Sequence, residues 1–96
     1  MYVVRNVFRT KPGKAKALVA KFKDAAPHLT QLGVKSTRIL TDVSATFWTV
    51  VVESETDDLS GYLEMARGDR GEAAGKALAG YMDLVEGGHR EVFKIE

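Results

Sequence analysis

The sequence predicts an α+β domain in which helices pack on one face of a four-stranded antiparallel sheet. Three observations predict it. Apolar spacing alternates between the two-residue period of strands and the three-to-four-residue period of helices, in the order strand, helix, strand, strand, helix, strand. The first strand, residues 2–9, is apolar on both faces: Tyr2, Val4, Asn6 and Phe8 on one, Val3, Arg5, Val7 and Arg9 on the other. The run from Phe47 to Val52 is β-branched and aromatic, as in a central strand covered on both sides.

Each element follows from local chemistry. Thr10-Lys11-Pro12-Gly13 ends the first strand, and Pro12 suits a helix entry. From Lys14, the residues Ala15, Leu18, Val19, Phe22, Ala25 or Ala26, and Leu29 form one buried helical stripe, with Lys14, Lys16, Lys21, Lys23 and Asp24 off it. Pro27 lacks an N–H, so a kink or restart is expected there, with Gly33 as a left-handed cap. Residues 34–43 read as a mixed-polarity edge strand, 42–45 as a turn and 46–55 as the third strand. Thr56-Asp57-Asp58 places acids at a helix start. Leu59, Tyr62, Leu63 and Ala66 then form a short stripe. Residues 67–71 interrupt it, and a last helix is expected over 72–86, burying Ala74, Leu78, Tyr81 and Val85. Gly87-Gly88 is read as its stop and 90–95 as the fourth strand.

This is the ferredoxin-like βαββαβ layout with a split second helix and strand order 4-1-3-2. It places the first and third strands, the two with two apolar faces, at the centre. A sheet with helices on one side normally turns a polar second face to water. The valines on this one predict a cover, most simply a second copy of the chain. Ninety-six residues make a single domain, 1–96, small enough to gain from burying another face.

Composition excludes several functions. No cysteine is present, which removes disulfides, thiolate nucleophiles and thiolate metal sites. A net charge of +1 gives no global pull toward nucleic acid or anionic membrane. No apolar run approaches the ~20 residues of a membrane span, and the chain opens directly on a strand pattern. A cytoplasmic protein is expected.

The opening YVVRNVFRTKPGKAKAL, the central FWTVVVESE leading into DDLSGYLE, and the close LVEGGHREVFKIE together resemble the dimeric α/β-barrel superfamily. Within it they are most similar to NIPSNAP-like and antibiotic-biosynthesis-monooxygenase-like small proteins. The resemblance implies a homodimer in which two sheets face each other, with a cleft between each sheet and its own helices. It spans cofactor-free monooxygenases, haem-degrading enzymes and ligand-sensing domains. Haem-degrading relatives carry an asparagine where Asn6 stands, a tryptophan roughly where Tyr62 stands, and a haem-ligating histidine further along. Residues 72–86 hold no histidine, so the iron ligand is missing and no cofactor is expected.

Asn6 is the first candidate for chemistry. It alternates with Val4 and Phe8, so it should face the helices and there hold a ligand carbonyl, or else simply pair with Tyr62 or Tyr81. Trp48, Tyr62 and Tyr81 are candidates to line a pocket for a flat aromatic ligand, or to be plain core. His89 would serve as a proton acceptor if the fold brought it to Asn6 or Tyr62. His28 and His89 stand alone, without the ligand spacing of a metal site. Gly71, Gly75 and Gly80 suggest close packing, or a mobile lid over 67–75. Arg5, Arg9, Arg90 and Lys94, interleaved with Val3, Val7 and Val92, offer a basic sheet face for nucleic acid. The plainer reading of that face is a dimer interface rimmed by ion pairs.

The sequence thus points to a homodimer binding a small apolar or aromatic molecule between sheet and helices. The alternative is a cofactor-independent monooxygenase acting on a phenol- or quinol-type substrate, with Asn6, Tyr62 and His89 as catalytic candidates. Nucleic-acid binding through the basic face ranks third.

Overall fold

A computed structural model describes residues 1–44, 47–67 and 71–96. Its elements run β1 (Tyr2–Thr10), α1 (Ala15–Thr30), β2 (Ser36–Thr41), β3 (Thr49–Thr56), α2 (Leu59–Ala66), α3 (Gly71–Ala77), a 3-10 turn (Tyr81–Leu84) and β4 (Val85–Lys94). The sheet order is β2-β3-β1-β4, with every pair antiparallel. This is the predicted ferredoxin-like topology, with β1 and β3 at the centre.

One side of the sheet receives the helices. Val4 of β1 and Val50 and Val52 of β3 point there and are buried. From α1, Leu18, Phe22, Ala25 and Leu29 pack down at helical spacing. The buried side chains fall into two groups. One joins Val4, Leu29, Val34, Tyr62, Met65 and Ala74. The other joins Leu18, Phe22, Ala25, Val50, Val52 and Leu78, with Phe8 and Tyr81 against it. Phe8 stacks on Phe22 at 5.3 Å and meets Tyr81 edge-on at 6.1 Å, the offset and T-shaped geometries that aromatic quadrupoles favour. A small domain usually has one contiguous core. Here the core is divided, and polar Asn6 lies on the sheet between the two lobes.

Several boundaries differ from the sequence reading. α1 runs through Pro27 without a break. Pro27 and Lys23 are both exposed, so water can serve the Lys23 carbonyl that proline leaves without a donor. The helix ends as expected: Val34 N–H donates to the Leu29 carbonyl at 3.3 Å, and Gly33 adopts φ 97°. β3 begins at Thr49 rather than 46; Ala45 and Thr46 lie outside the described residues, as do positions 68–70 of the expected interruption and lid.

The largest correction is the last helix. It ends at Ala77, not 86. Gly80 turns the chain in the left-handed region (φ 78°), and Val85 already belongs to the sheet. Helical spacing in 81–86 loses to pairing: β1 is nine residues long, and its outer edge is satisfied only by a partner of matching length. Gly87-Gly88, read as a helix stop, lies inside β4. A Cβ at Gly88 would collide with the Val7 carbonyl oxygen and sit 3.2 Å from Phe8 Cα. Glycine here is the condition for β4 to close on β1. Gly71 and Gly75 have nothing within 4 Å of a built Cβ, and Gly80 only Asp83 at 4.0 Å. Close packing therefore does not explain them.

These two settings predict opposite outcomes for the same substitution. Gly88→Ala overpacks the β1–β4 contact and should destabilise by about 1–3 kcal/mol. Gly75→Ala, in open space within α3, should stabilise by up to about 1 kcal/mol. Urea denaturation of both variants beside the wild type checks the pair.

Candidate functional site

The register of β1 places the site. Asn6 stands opposite Val52 on one side and Arg90 on the other, so all three project toward the helices. α2 supplies Tyr62 from above. That helix is set by Asp58, whose carboxylate caps it by accepting from Gly61 N–H at 3.0 Å. Thr56 Oγ1 in turn accepts from Asp58 N–H at 3.1 Å. Between the two core lobes lies a cavity of about 260 Å³ lined mainly by apolar side chains. Phe8, Phe22, Val52, Leu78 and Tyr81 wall one side, and Leu29, Tyr62 and Met65 the other.

Polar groups converge on this cavity. Asn6 Nδ2 donates to the Tyr62 hydroxyl at 3.0 Å. Arg90 Nε donates to Asn6 Oδ1 at 2.6 Å. Ser54 is buried in the lining and lies 3.4 Å from the Thr37 hydroxyl. The structure therefore brings together Asn6, Tyr62 and Tyr81 of the predicted site. It does not bring Trp48 or the His89 side chain to them.

His89 borders the cavity beside Arg90, but it pairs with Val7 across the sheet, which turns its ring to the opposite face. There its Nε2 lies 3.4 Å from Glu91 Oε2. It cannot accept a proton from Asn6 or Tyr62. Trp48 lies beyond the start of β3, in a separate depression with Phe47, Val43, Lys16 and Val19. It adopts φ 61°, unusual for a bulky residue. Its carbonyl accepts from both Thr10 N–H and Thr10 Oγ1, each at 2.9 Å, and Thr10 is 1 % exposed. That double anchor holds the turn. His28 occupies the last turn of α1, outside the cavity lining.

Arg90 is the cavity-lining residue that the sequence reading places on the other face. It was assigned to an outer basic face with Arg5 and Arg9, but its pairing with Asn6 turns it inward, and Val92 and Lys94 share its side. The outer face is instead laid out in rows. Its middle row is Arg38, Glu53, Arg5, Glu91, in cross-strand register. Glu53 Oε2 accepts from Arg5 Nη2 at 2.8 Å, and Glu53 Oε1 accepts from Arg38. Arg5 also reaches Glu91 at 3.7 Å. The basic patch expected for nucleic acid is thus neutralised by alternating signs. Mixed rows flank it: Leu40, Val51, Val7 and His89 on one side, Ser36, Glu55, Val3 and Phe93 on the other. Leu40 and Phe93 are exposed.

The hydrogen bond from Arg38, then that from Arg5, holds the Glu53 carboxyl below its ordinary value, against the opposing effect of burial. Among the described residues, no group of three or more His, Asp or Glu is placed to hold a metal ion. No helix among them is long and apolar enough to cross a membrane.

Solved structures share this architecture. An uncharacterised NIPSNAP-domain protein from Burkholderia xenovorans matches with TM-score 0.76 at 19% identity, over 100% of this chain and 95% of that one. A proposed antibiotic biosynthesis monooxygenase from Chloroflexus aurantiacus matches with TM-score 0.73 at 17% identity, over 99% and 94%. Another from Nitrosomonas europaea matches with TM-score 0.71 at 14% identity, over 98% and 97%. These come from the two groups that the sequence resembles, and at such identities they establish a common fold. No protein-family model and no curated protein matches the chain.

The Glu53 arrangement has a pH signature. Its folded pKa lies below the unfolded value of about 4.3, so its contribution is present above that value and lost as pH falls through the folded pKa. Glu53→Gln should lower stability at pH 7, and the difference from wild type should shrink below about pH 4. Urea unfolding at pH 7, 5 and 3, at fixed protein concentration, reads this directly. A constant difference across the series would contradict it.

Proposed function

We propose that this chain forms a single-domain, cytoplasmic homodimer that binds a small apolar or aromatic molecule in the cleft between its sheet and helices. The observation that carries the reading is the cavity between the two core lobes. At about 260 Å³ it lies just under the ~300–1,000 Å³ of ordinary small-molecule sites, and like them it combines apolar walls with a few converging polar groups. Its size suits a compact ring system. Phe8, Phe22 and Tyr81 form one wall, and aromatic side chains favour a flat partner.

The outer sheet face supports the dimer. Burying charges is costly when any is left alone. Glu53 is 8 % exposed and already engages two guanidiniums, so a second chain can cover this face without orphaning it. The apolar members of the flanking rows, Leu40, Val51 and Val7 on one side and Val3 and Phe93 on the other, then supply the driving force. The sheet-to-sheet homodimer is the state in which Leu40 and Phe93 leave water.

A second reading is favoured by one specific contact. Asn6 and Tyr62 are hydrogen-bonded inside an apolar cleft, and two structural neighbours are described as monooxygenases. In a cofactor-independent oxygenation, the anion of a phenol or quinol supplies the electrons to oxygen. Asn6 would orient its oxygen and the Tyr62 O–H would donate a hydrogen bond to the anion, whose proton has passed to solvent. His89 has no part in this, because its ring is on the other face.

Two measurements test the main reading. Titration with 2-naphthol should shift the methyl resonances of Met65 and Leu78, and leave that of exposed Val43 unmoved; shifts confined to Val43 would exclude the cleft. Sedimentation at micromolar concentration should give twice the mass of one chain, and Phe93→Asp should give single chains that remain folded. A wild-type protein that sediments as single chains removes the dimer. Oxygen uptake with a quinol panel, lost in Asn6→Ala, would favour the second reading.

A further inference from the structure

The valences that the chain of Arg90, Asn6 and Tyr62 leaves open at the cleft are donors, and that fixes the kind of ligand they can receive. A guanidinium offers N–H groups and no acceptor. Arg90 therefore requires the carbonyl of Asn6, and the 2.6 Å contact is Nε to Oδ1. The Asn6 amide must then point the other way, toward the Tyr62 hydroxyl at 3.0 Å. Tyr62 accepts that bond and keeps its own O–H to donate. The chain of three ends with two unused donor sets: the Tyr62 proton and the Nη groups of Arg90. Neither has an acceptor among the described residues.

Arg90 also differs in charge balance from its neighbours. Arg5, Arg9 and Arg38 each lie against a glutamate. Among the described residues, Arg90 meets a neutral amide and no carboxylate lines the cavity. Its positive charge stands at the exposed mouth of an apolar site, where water solvates it until a ligand arrives.

We infer that the cleft takes a monocarboxylate with an apolar, preferably flat, body. The body lies between the two core lobes. The carboxylate is received at the mouth by Arg90, whose planar fork matches its two oxygens, with the Tyr62 O–H as a further donor. A phosphate dianion fits less well, because a single guanidinium leaves its second charge unmatched. This inference rests on the reading of the cleft as a small-molecule site, and it adds the chemical class of the molecule and the residue that selects it.

The test uses a matched pair of probes, 2-naphthoate and 2-naphthamide, titrated calorimetrically into the full chain at pH 7. The two share a ring system and differ in charge. Wild-type protein should bind the carboxylate at least about tenfold tighter than the amide. Arg90→Gln should remove most of that margin. Arg90→Lys, which keeps the charge but not the fork, should retain part of it, and circular dichroism verifies that both variants fold. Equal affinities for the two probes in the wild type overturn the anion inference and leave the cleft as a ligand site. A margin that persists in Arg90→Gln overturns the assignment to Arg90. Binding of neither probe overturns both this inference and the cleft reading beneath it.

Discussion

The register of β1 between β3 and β4 is the constraint on which the rest of the structure depends. Strand side chains alternate, so a slip of one residue would exchange the two faces of the sheet. With Asn6 set against Val52 and Arg90, the face toward the helices gains the residues that define the cleft. The same setting aligns Arg38, Glu53, Arg5 and Glu91 across the other face. One pairing pattern therefore builds two surfaces of different character, one an apolar hollow with a few donors and the other a charge-balanced plate.

The two surfaces are linked by more than geometry. Gly88 lets β4 approach β1 closely, and Arg90 follows two residues later on the same face. The close approach at Gly88 fixes where Arg90 lies relative to Asn6. On the helix side, the capped start of α2 holds Tyr62 over Asn6. The cleft is thus supported by strand pairing from below and by a helix cap from above, rather than by loops, and elements of this kind hold side chains more firmly.

Much of the fold was legible in the sequence, because it rests on periodicity. The apolar alternation of residues 2–9, the stripe of Leu18, Phe22, Ala25 and Leu29, and the valines of β3 each bury what their spacing implies. What escaped was decided by tertiary pairing. Residues 81–86 keep helical spacing, yet β1 needs a partner along its length, and β4 starts at Val85. With that strand started at Arg90 instead of Val85, its faces cannot be assigned, and Arg90, Val92 and Lys94 fall on the wrong side. Asn6 and Tyr62 were found because each sits on a clear period. Trp48 was misplaced because a left-handed residue before a strand leaves no periodic trace. The interleaving of Arg38 with Glu53 was hidden because the two residues are brought together only by the β2–β3 register.

The anchored turn at Trp48 has an optical consequence. The indole is the only one in the chain, and it is 44 % exposed at a corner held to the end of β1 by Thr10. Its intrinsic fluorescence is therefore a gauge of how firmly the β2–β3 corner is fastened to the central strand. Ligands filling the hollow between the core lobes can leave that emission unchanged, while loosening of the Thr10 anchor would alter it even with the rest of the sheet intact.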